Sequence, residues 1–429
     1  MNRKPSNIDK IVSTSADGID RRGFLQCMAW AGTGLLWAAG AGVPTSSAFG
    51  MTNKAKNVDF NFAQISDSHI GFDKPANTDV KATLQVAIDK LNGLHNAPDF
   101  IIHTGDLTHL SKPGEFDTLD QMLKSTGKEI VYVPGEHDVI DTGKQFLERY
   151  GKDPQGGRKK GSGWFSFDHK GVHFVGLVNV ADLKPGGMGN LGHDQLEWLE
   201  DDLKGKSASM PVVVFAHIPL WAVYPQWGWG TEDSAQALSY LKRFGSVTVL
   251  NGHIHQIMQK VEGQVSFHTA LSTAFPQPAP GSAPSPGPMK VDAGKLRDVL
   301  GITDVNYLAG HHHLAVVDAT LSGAPAMANQ TGQPASAPVA AVAAAPVAGA
   351  AVKIDNFSFD PTPLAVKPGA SVTWTNRDDV PHNVESSDKK FSSPVLDTNQ
   401  TFQFQFKDAG EYPYYCRLHP RMTGKVVVG

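Results

Sequence analysis

The sequence predicts an α/β domain followed by a separate, smaller all-β domain. Three observations carry that expectation. From Val58 onward, short apolar runs alternate with helix-spaced segments, and polar clusters follow the runs. Gly323 to Ala351 is almost wholly Ala, Pro, Val, Gly, Ser and Gln, which cannot bury enough surface to fold and reads as an extended linker. Beyond it, strand-like runs take over, with strict alternation in Phe402-Gln403-Phe404-Gln405-Phe406.

In the first region Val58 to Ile65 reads as a strand leading into Ser66-Asp67-Ser68-His69. Val80 to Leu94 has helical spacing. Phe100 to His103 is a short buried strand ending at Thr104-Gly105-Asp106, and Ile130 to Val133 is another, ending at Pro134-Gly135-Glu136-His137-Asp138. Val172 to Val178 is a third. Gln195 to Leu203 is an amphipathic helix with Leu196, Leu199 and Leu203 on one face. Val212 to Ala216 and Val247 to Leu250 are further apolar runs. Strand C-termini are where open α/β folds place their sites. Pro276 to Pro288 is a Pro-rich surface loop. The second region has strand runs at Ser371 to Trp374, Thr401 to Phe406, Tyr412 to Cys416 and Lys425 to Val428. No internal repeat is present.

At 429 residues the chain is too long for one core. Hydrophobic residues at 41% and charged ones at 19% suit a globular protein, and a net charge of -4 gives no reason to expect nucleic acid as a partner. The N-terminus carries Asp20-Arg21-Arg22-Gly23-Phe24-Leu25-Gln26 and then a run without charge to Ala48, with small residues at Ser46-Ser47-Ala48. This resembles a bacterial twin-arginine signal peptide, over residues 1–48, and implies passage through the twin-arginine translocase to the periplasm or beyond. The competing reading is a transmembrane anchor, since the run is long enough to span. Glycines at 23, 32, 34, 40 and 42 dilute it and favour a cleaved signal. Of the two cysteines, Cys27 lies in that segment, so Cys416 has no disulfide partner in the exported chain and invites a metal.

The chain has 17 histidines, and many sit beside carboxylates after apolar runs. The groups are Asp67 and His69, then Asp106, then Glu136-His137-Asp138, then His217, then His253 and His255. One such pair would be a helix cap or a backbone contact; five groups in one α/β domain form a constellation. Two cations roughly 3.5–4 Å apart can clamp a phosphate for in-line displacement. Mixed His and carboxylate ligands, one of them bridging, suit Mn, Fe, Zn or Ni.

The set resembles the calcineurin-like metallophosphoesterases, whose motifs run Asp-x-His, Gly-Asp, Gly-Asn-His-Asp/Glu, His and Gly-His-x-His. Here they stand as Asp67-Ser68-His69, Gly105-Asp106, Gly135-Glu136-His137-Asp138, His217 and Gly252-His253-Ile254-His255. The resemblance covers about residues 60–318 and implies a four-layer αββα sandwich over a domain set at 55–320. It also implies residue roles. Asp67, His69 and His255 would hold one metal, and Asp106 would bridge. His217, His253 and Glu136 would hold the second. His137 would touch the phosphate and protonate the leaving oxygen, with Asp138 orienting its ring. Glu136 departs from the motif, where the family has Asn. It could ligate more anionically and weaken the second metal as a Lewis acid, or disturb the site sterically.

The remaining histidines receive plainer readings. His103 packs at a strand end. His109 falls where purple acid phosphatases carry a ligand Tyr, and serves at most behind the ligands. His311-His312-His313 begins a strand and suits structure or adventitious metal binding. Trp221, Tyr224, Trp227 and Trp229 follow His217 closely. They read either as loop packing or as a wall that stacks on the substrate.

In the last domain the candidates are His382, Cys416, His419 and Met422, the pattern of a His2Cys copper site with a weak axial Met. The segment 351–429 resembles amicyanin, pseudoazurin and plastocyanin. The matching stretches are Pro381-His382-Asn383-Val384, Gly410 to Cys416, and His419 to Val428; the short Cys-x-x-His-x-x-Met loop is most similar to amicyanin. The resemblance implies a Greek-key cupredoxin sandwich with one type 1 copper that transfers single electrons through an exposed edge of His419. Arg417, Arg421 and Lys425 around that edge either form ordinary solvated surface or steer an acidic redox partner.

The expected protein is therefore an exported binuclear phosphoesterase acting on a phosphomonoester or phosphodiester, joined through a linker at 321–350 to a copper domain. The alternative is a periplasmic redox or copper-handling protein whose first domain is a scaffold with little activity.

Overall fold

The computed structural model describes residues 38–40, 43–45, 60–151, 163–184, 187–308, 313–323, 350–419 and 422–429. The expected signal segment lies outside the described residues except for two short paired strands, β1 (Ala38–Gly40) and β2 (Val43–Thr45). Most of the expected linker, His311, His312 and Arg421 also lie outside them. Among the described residues no helix is long and apolar enough to cross a membrane.

The first domain is built from two sheets whose parallel strands all end on one side. In the five-stranded sheet, β3 (Phe60–Ile65), β4 (Phe100–His103) and β5 (Glu129–Tyr132) run parallel. The antiparallel pair β12 (Gly301–Leu308) and β13 (His313–Thr320) extends the sheet beyond β3. In the six-stranded sheet, β7 (Val172–Gly176), β8 (Val212–Phe215), β9 (Val247–Asn251) and β11 (Val265–Thr269) run parallel. They are flanked by antiparallel β6 (Phe165–His169) and β10 (Gln259–Glu262).

Period-two alternation makes the layers, because successive side chains leave opposite faces of a strand. In β3 and β4, Phe62, Phe100 and Ile102 face the other sheet, while Ala63, Ile65 and Ile101 face helices. Phe174, Val213, Phe215 and Leu250 complete the core between the sheets. On the outer face of the first sheet lie α1 (Val80–Asn92), α2 (Pro113–Leu123) and α3 (Lys144–Tyr150), through Leu84, Ile88, Phe116, Leu119 and Phe146. On the second lie α4 (His193–Lys204) and α5 (Ser234–Leu241), through Leu196, Leu199, Leu203 and Leu241. The result is the expected four layers, αββα. Asp79 caps α1 by accepting from Ala82 N at 3.0 Å, a bond that satisfies one orphan amide of the first turn. Asn92 ends the helix, before Gly93 and two residues short of the predicted end.

The second domain is a β-sandwich of two four-stranded sheets. One contains β15 (Ser358–Asp360), β14 (Ala350–Asp355), β17 (Ser371–Asn376) and β19 (Thr401–Gln405). The other contains β16 (Leu364–Val366), β21 (Thr423–Val428), β20 (Gly410–Tyr415) and β18 (Glu385–Ser386). Trp374, fully buried, packs edge-on to Tyr414 at 5.4 Å between ring centres and fills the middle. The two domains touch. Lys74 Nζ lies 3.6 Å from Asp397 Oδ1, and Ser285, in the Pro-rich loop, bonds Asn356 at 2.5 Å. That loop is therefore less a surface excursion than a contact between domains.

Phe62 is fully buried between the sheets and stacks on Phe100 at 5.3 Å. Phe62→Ala should cost about 3–5 kcal/mol, read as a lower denaturant midpoint for the first domain with an unchanged slope.

Candidate metal centres

Every expected ligand of the first domain lies just past the C-terminal end of a parallel strand. Asp67 and His69 follow β3, Asp106 follows β4, Glu136 follows β5, His217 follows β8, and His253 and His255 follow β9. After β3 and β4 the two loops zip together, with Asp67 N on Gly105 O at 3.0 Å and His69 N on Asp106 O at 2.9 Å. His253 N donates to Asp67 Oδ1 at 3.1 Å and ties the second sheet to the first. Asp67, His69, Asp106, His253 and His255 all adopt left-handed backbone, with φ of 53°, 41°, 52°, 70° and 52°. Such φ is unfavourable for residues with a Cβ and clusters at functional sites. Gly135 and Gly252 are demanded by close approach, since a Cβ would run into the carboxylates of Asp106 and Asp67 respectively.

The ligands fall into two groups. His69 Nε2, His255 Nε2, Asp67 Oδ1 and Asp106 Oδ2 surround one point: His69 lies 3.3 Å from His255 and 3.4 Å from Asp106, and His255 lies 3.3 Å from Asp67. Glu136, His217 and His253 surround the other, with His217 Nε2 and His253 Nδ1 each 3.0 Å from a Glu136 oxygen. Asp106 Oδ2 also stands 3.4 Å from His217 Nε2, so one oxygen serves both groups.

The donor set fits two cations. Asp67, Asp106 and Glu136 are three largely buried carboxylates, and among the described residues their ion-pair partners are histidines only. Such charge requires compensation. His253 Nε2 is buried without a hydrogen-bond partner. His217 Nδ1 is held by Thr104 O at 2.7 Å and His255 Nδ1 by Phe275 O at 2.6 Å, which aims each Nε2 inward. Burial opposes charge on Asp67, yet His255 and His217 bring its carboxyl down to about 2.

His137 sits at the same centre, with a ring nitrogen within 4.8 Å of oxygens of Asp106 and Glu136. Burial works against its protonation, but Asp106 and Glu136 prevail and raise its pKa. Its Nδ1 bonds His109 O at 2.8 Å, which leaves Nε2 for the cavity. The ring is thus oriented by a backbone carbonyl and not, as the sequence suggested, by Asp138. The Asp138 carboxylate accepts from the amides of Leu107, Thr108 and Gly135 at 2.9–3.0 Å and fixes the two loops. That share of His109 lies in its main chain, which residue identity does not reveal. His103 bonds Ser68 Oγ at 2.8 Å below the site, and burial lowers its pKa to about 3, so it is neutral.

In the second domain His382 Nδ1 and His419 Nδ1 each lie 3.7 Å from Cys416 Sγ and 3.1 Å from one another. Met422 is buried in the same core cluster. The loop is braced by Cys416 N on Met422 O, His419 N on Cys416 O and Met422 N on His419 O, at 2.8–3.2 Å. Asn383 N points at the sulfur from 3.4 Å, and Asp378 holds His382 Nε2 at 2.7 Å. A soft thiolate with two imidazoles suits copper. The expected exposed edge of His419 is not found. The ring is partly buried, packs on Phe357 at 4.7 Å and lines a cavity shared with the first domain. Of the predicted basic rim, Arg417 is exposed and Lys425 pairs with Glu411, while Arg421 lies outside the described residues.

Residues 60–257 match the model of the calcineurin-like phosphoesterase family, and residues 326–428 that of the cupredoxin-like domain. Amicyanin-alpha of Methylorubrum extorquens is 41% identical over 93 residues, covering 20% of this chain and 78% of that protein. Glycerophosphodiester phosphodiesterase GpdQ of Enterobacter lignolyticus is 25% identical over 230 residues, covering 50% of this chain and 78% of that protein. A probable cyclic nucleotide phosphodiesterase of Synechococcus is 26% identical over 221 residues, covering 50% and 82%.

Two substitutions test the centres. Asp106→Asn should lower the content of both metals in the first domain, read by elemental analysis, and leave copper in place. Cys416→Ser should abolish the thiolate-to-copper absorption of the copper-loaded chain; colour that survives would reject the ligand set.

Proposed function

This chain belongs to the cupredoxin family through its C-terminal domain and carries a calcineurin-like phosphoesterase domain ahead of it, and we propose that it is a binuclear metal-dependent phosphodiesterase with a tethered type 1 copper. The observation that carries this reading is the single Asp106 oxygen set between two groups of ligands. Relatives named for glycerophosphodiesters and cyclic nucleotides favour a diester substrate. Asp67, His69 and His255 would hold one metal and His217, His253 and Glu136 the other, in the Fe, Mn or Zn class.

When bound, the two cations supply Lewis acidity and an acidified water. The chain's residues do the rest. Asp106, beside both groups of ligands, would be shared by the two metals. His137, held at Nδ1 by His109 O, presents Nε2 to the leaving oxygen and gives it a proton. Glu136 places a third negative charge where the family has a neutral amide, which tightens metal binding and reduces its Lewis acidity. The copper domain carries single electrons. We also propose export by the twin-arginine route through residues 1–48, and a division into 55–320, 321–350 and 351–429.

His137→Ala should spare metal content and slow turnover by roughly 10²–10⁴-fold, most for poor leaving groups. Equal loss across leaving groups would count against His137 as the acid. Glu136→Asn should lower metal affinity and raise turnover at saturating metal. A fall in turnover there would mean that Glu136 suits this chemistry as it stands.

A further inference from the structure

The cavity over the binuclear centre belongs to both domains. Its floor is His69, Asp106, Glu136, His137 and His253. Trp227, Trp229 and Phe275 wall it from the first domain. Its opposite side comes from the second domain: Asn356, Phe357, Val380, Leu418, His419 and Met422. Two of these, His419 and Met422, are proposed copper ligands, and Leu418 lies between Cys416 and His419 on the ligand loop. Phe357 holds both ligand rings, at 5.3 Å from His382 and 4.7 Å from His419. It does so from left-handed backbone at φ 53°, as does its neighbour Asn356. That turn is anchored twice. Asn356 bonds Ser285 of the first domain, and the amides of Asn356 and Phe357 both donate to the Asp378 carboxylate, which also holds His382. The loop that would carry copper is therefore packed over the place where a phosphoester would react.

We propose that the copper-ligand loop is the roof of the phosphoester pocket, so that the esterified alcohol lies between Trp227 and Phe275 on one side and Phe357, Leu418 and His419 on the other. This rests on the phosphodiesterase reading and deepens it. The cavity measures about 200 Å³, below the roughly 300–1,000 Å³ of sites for drug-sized ligands. It is lined by rings and by Leu418, Pro284 and Pro288 above a polar floor. Such a space suits the phosphodiester of a small alcohol. It also makes the two centres neighbours across one ligand, with no covalent link between them other than the chain. Whatever binds on the floor presses on Leu418 and His419, and a change at His419 alters the roof.

The test uses the full chain with zinc in the first domain, so that copper alone gives a colour and an electron-spin signal. Inorganic phosphate is the probe, and its binding is measured independently by calorimetry. Phosphate should shift the thiolate-to-copper absorption and the Cu(II) spectrum saturably, with the half-saturation found by calorimetry. Asp106→Asn should remove the shift without changing the starting spectrum. Leu418→Trp, a change outside the copper ligands, should fill the cavity. It should raise KM for a diester of a bulky alcohol at least tenfold more than for dimethyl phosphate, equivalent to about 1.4 kcal/mol, and keep the copper colour as evidence of folding. Phosphate that binds with no change in the copper spectrum, together with equal KM effects on both diesters, would overturn the roof alone. Absence of any phosphate binding by the zinc-loaded chain would overturn the phosphodiesterase reading, and the roof with it.

Discussion

Asp106 Oδ2 stands 3.4 Å from His69 Nε2 and 3.4 Å from His217 Nε2, and most of what surrounds it keeps that oxygen there. The other carboxylate oxygen accepts the His137 amide at 3.1 Å, which fixes the tilt of the group. Gly135 lets the β5 loop pass against it without a side chain. Asp106 itself turns into left-handed backbone, so the carboxylate points back across the strand ends and not out toward solvent. Three carboxylates drawn this close cost free energy in an uncharged interior, because each has lost water and faces the others. The fold bears that cost through a backbone ladder between loops and through Asp138, whose carboxylate ties the β4 and β5 loops by three amides. The loops are thus held by backbone amides, and backbone carbonyls orient the His217 and His255 rings toward the carboxylates.

Much of this was legible in the sequence, for a physical reason. Parallel strands buried on both faces are short apolar runs, and their C-termini must turn, so a reactive residue placed there follows the run directly. Asp67, Asp106 and His217 each announce themselves in that way. The period-two split of Phe62 and Ala63 between two cores also follows from the pattern. The β6, β10 and β12 strands were not read, because their alternation is interrupted by charged or polar residues such as Asp168, Lys260 and Asp304. The orientation of His137 was misassigned because it depends on a main-chain carbonyl, and any residue at 109 offers one. Asp138, adjacent in sequence, looked the better partner. In space its carboxylate turns toward the amides that need it.

The relation between the domains was not legible at all. A linker of Ala and Pro states reach, and says nothing of where its far end settles. Read alone, the copper loop looks like a docking edge for another protein, since a ligand histidine flanked by arginines suits that role. In the folded chain the first domain takes that position. Ser285 and Lys74 are the contacts that hold it, and neither residue stands out in a sequence. Pro276 to Pro288 read as a surface loop; through Ser285 it meets Asn356 of the second domain.

Placing a rigid loop over a reactive floor couples the two by necessity. Cys416, His419 and Met422 are linked by three backbone bonds within seven residues, so one ligand cannot shift without drawing on the others. Such a loop does not absorb a displacement; it transmits it. Linkage then demands reciprocity: whatever factor a bound phosphoester applies to the copper's preference between its two oxidation states, the oxidation state applies to phosphoester affinity. The magnitude depends on how differently the two states place His419, and a shared wall gives that difference somewhere to act. A domain joined only by a flexible linker would alter local concentration and nothing else. The doubly anchored turn at Asn356 and Phe357 is what distinguishes this chain from that simpler case, because it ties the orientation of both copper-ligand rings to a residue of the phosphoesterase domain.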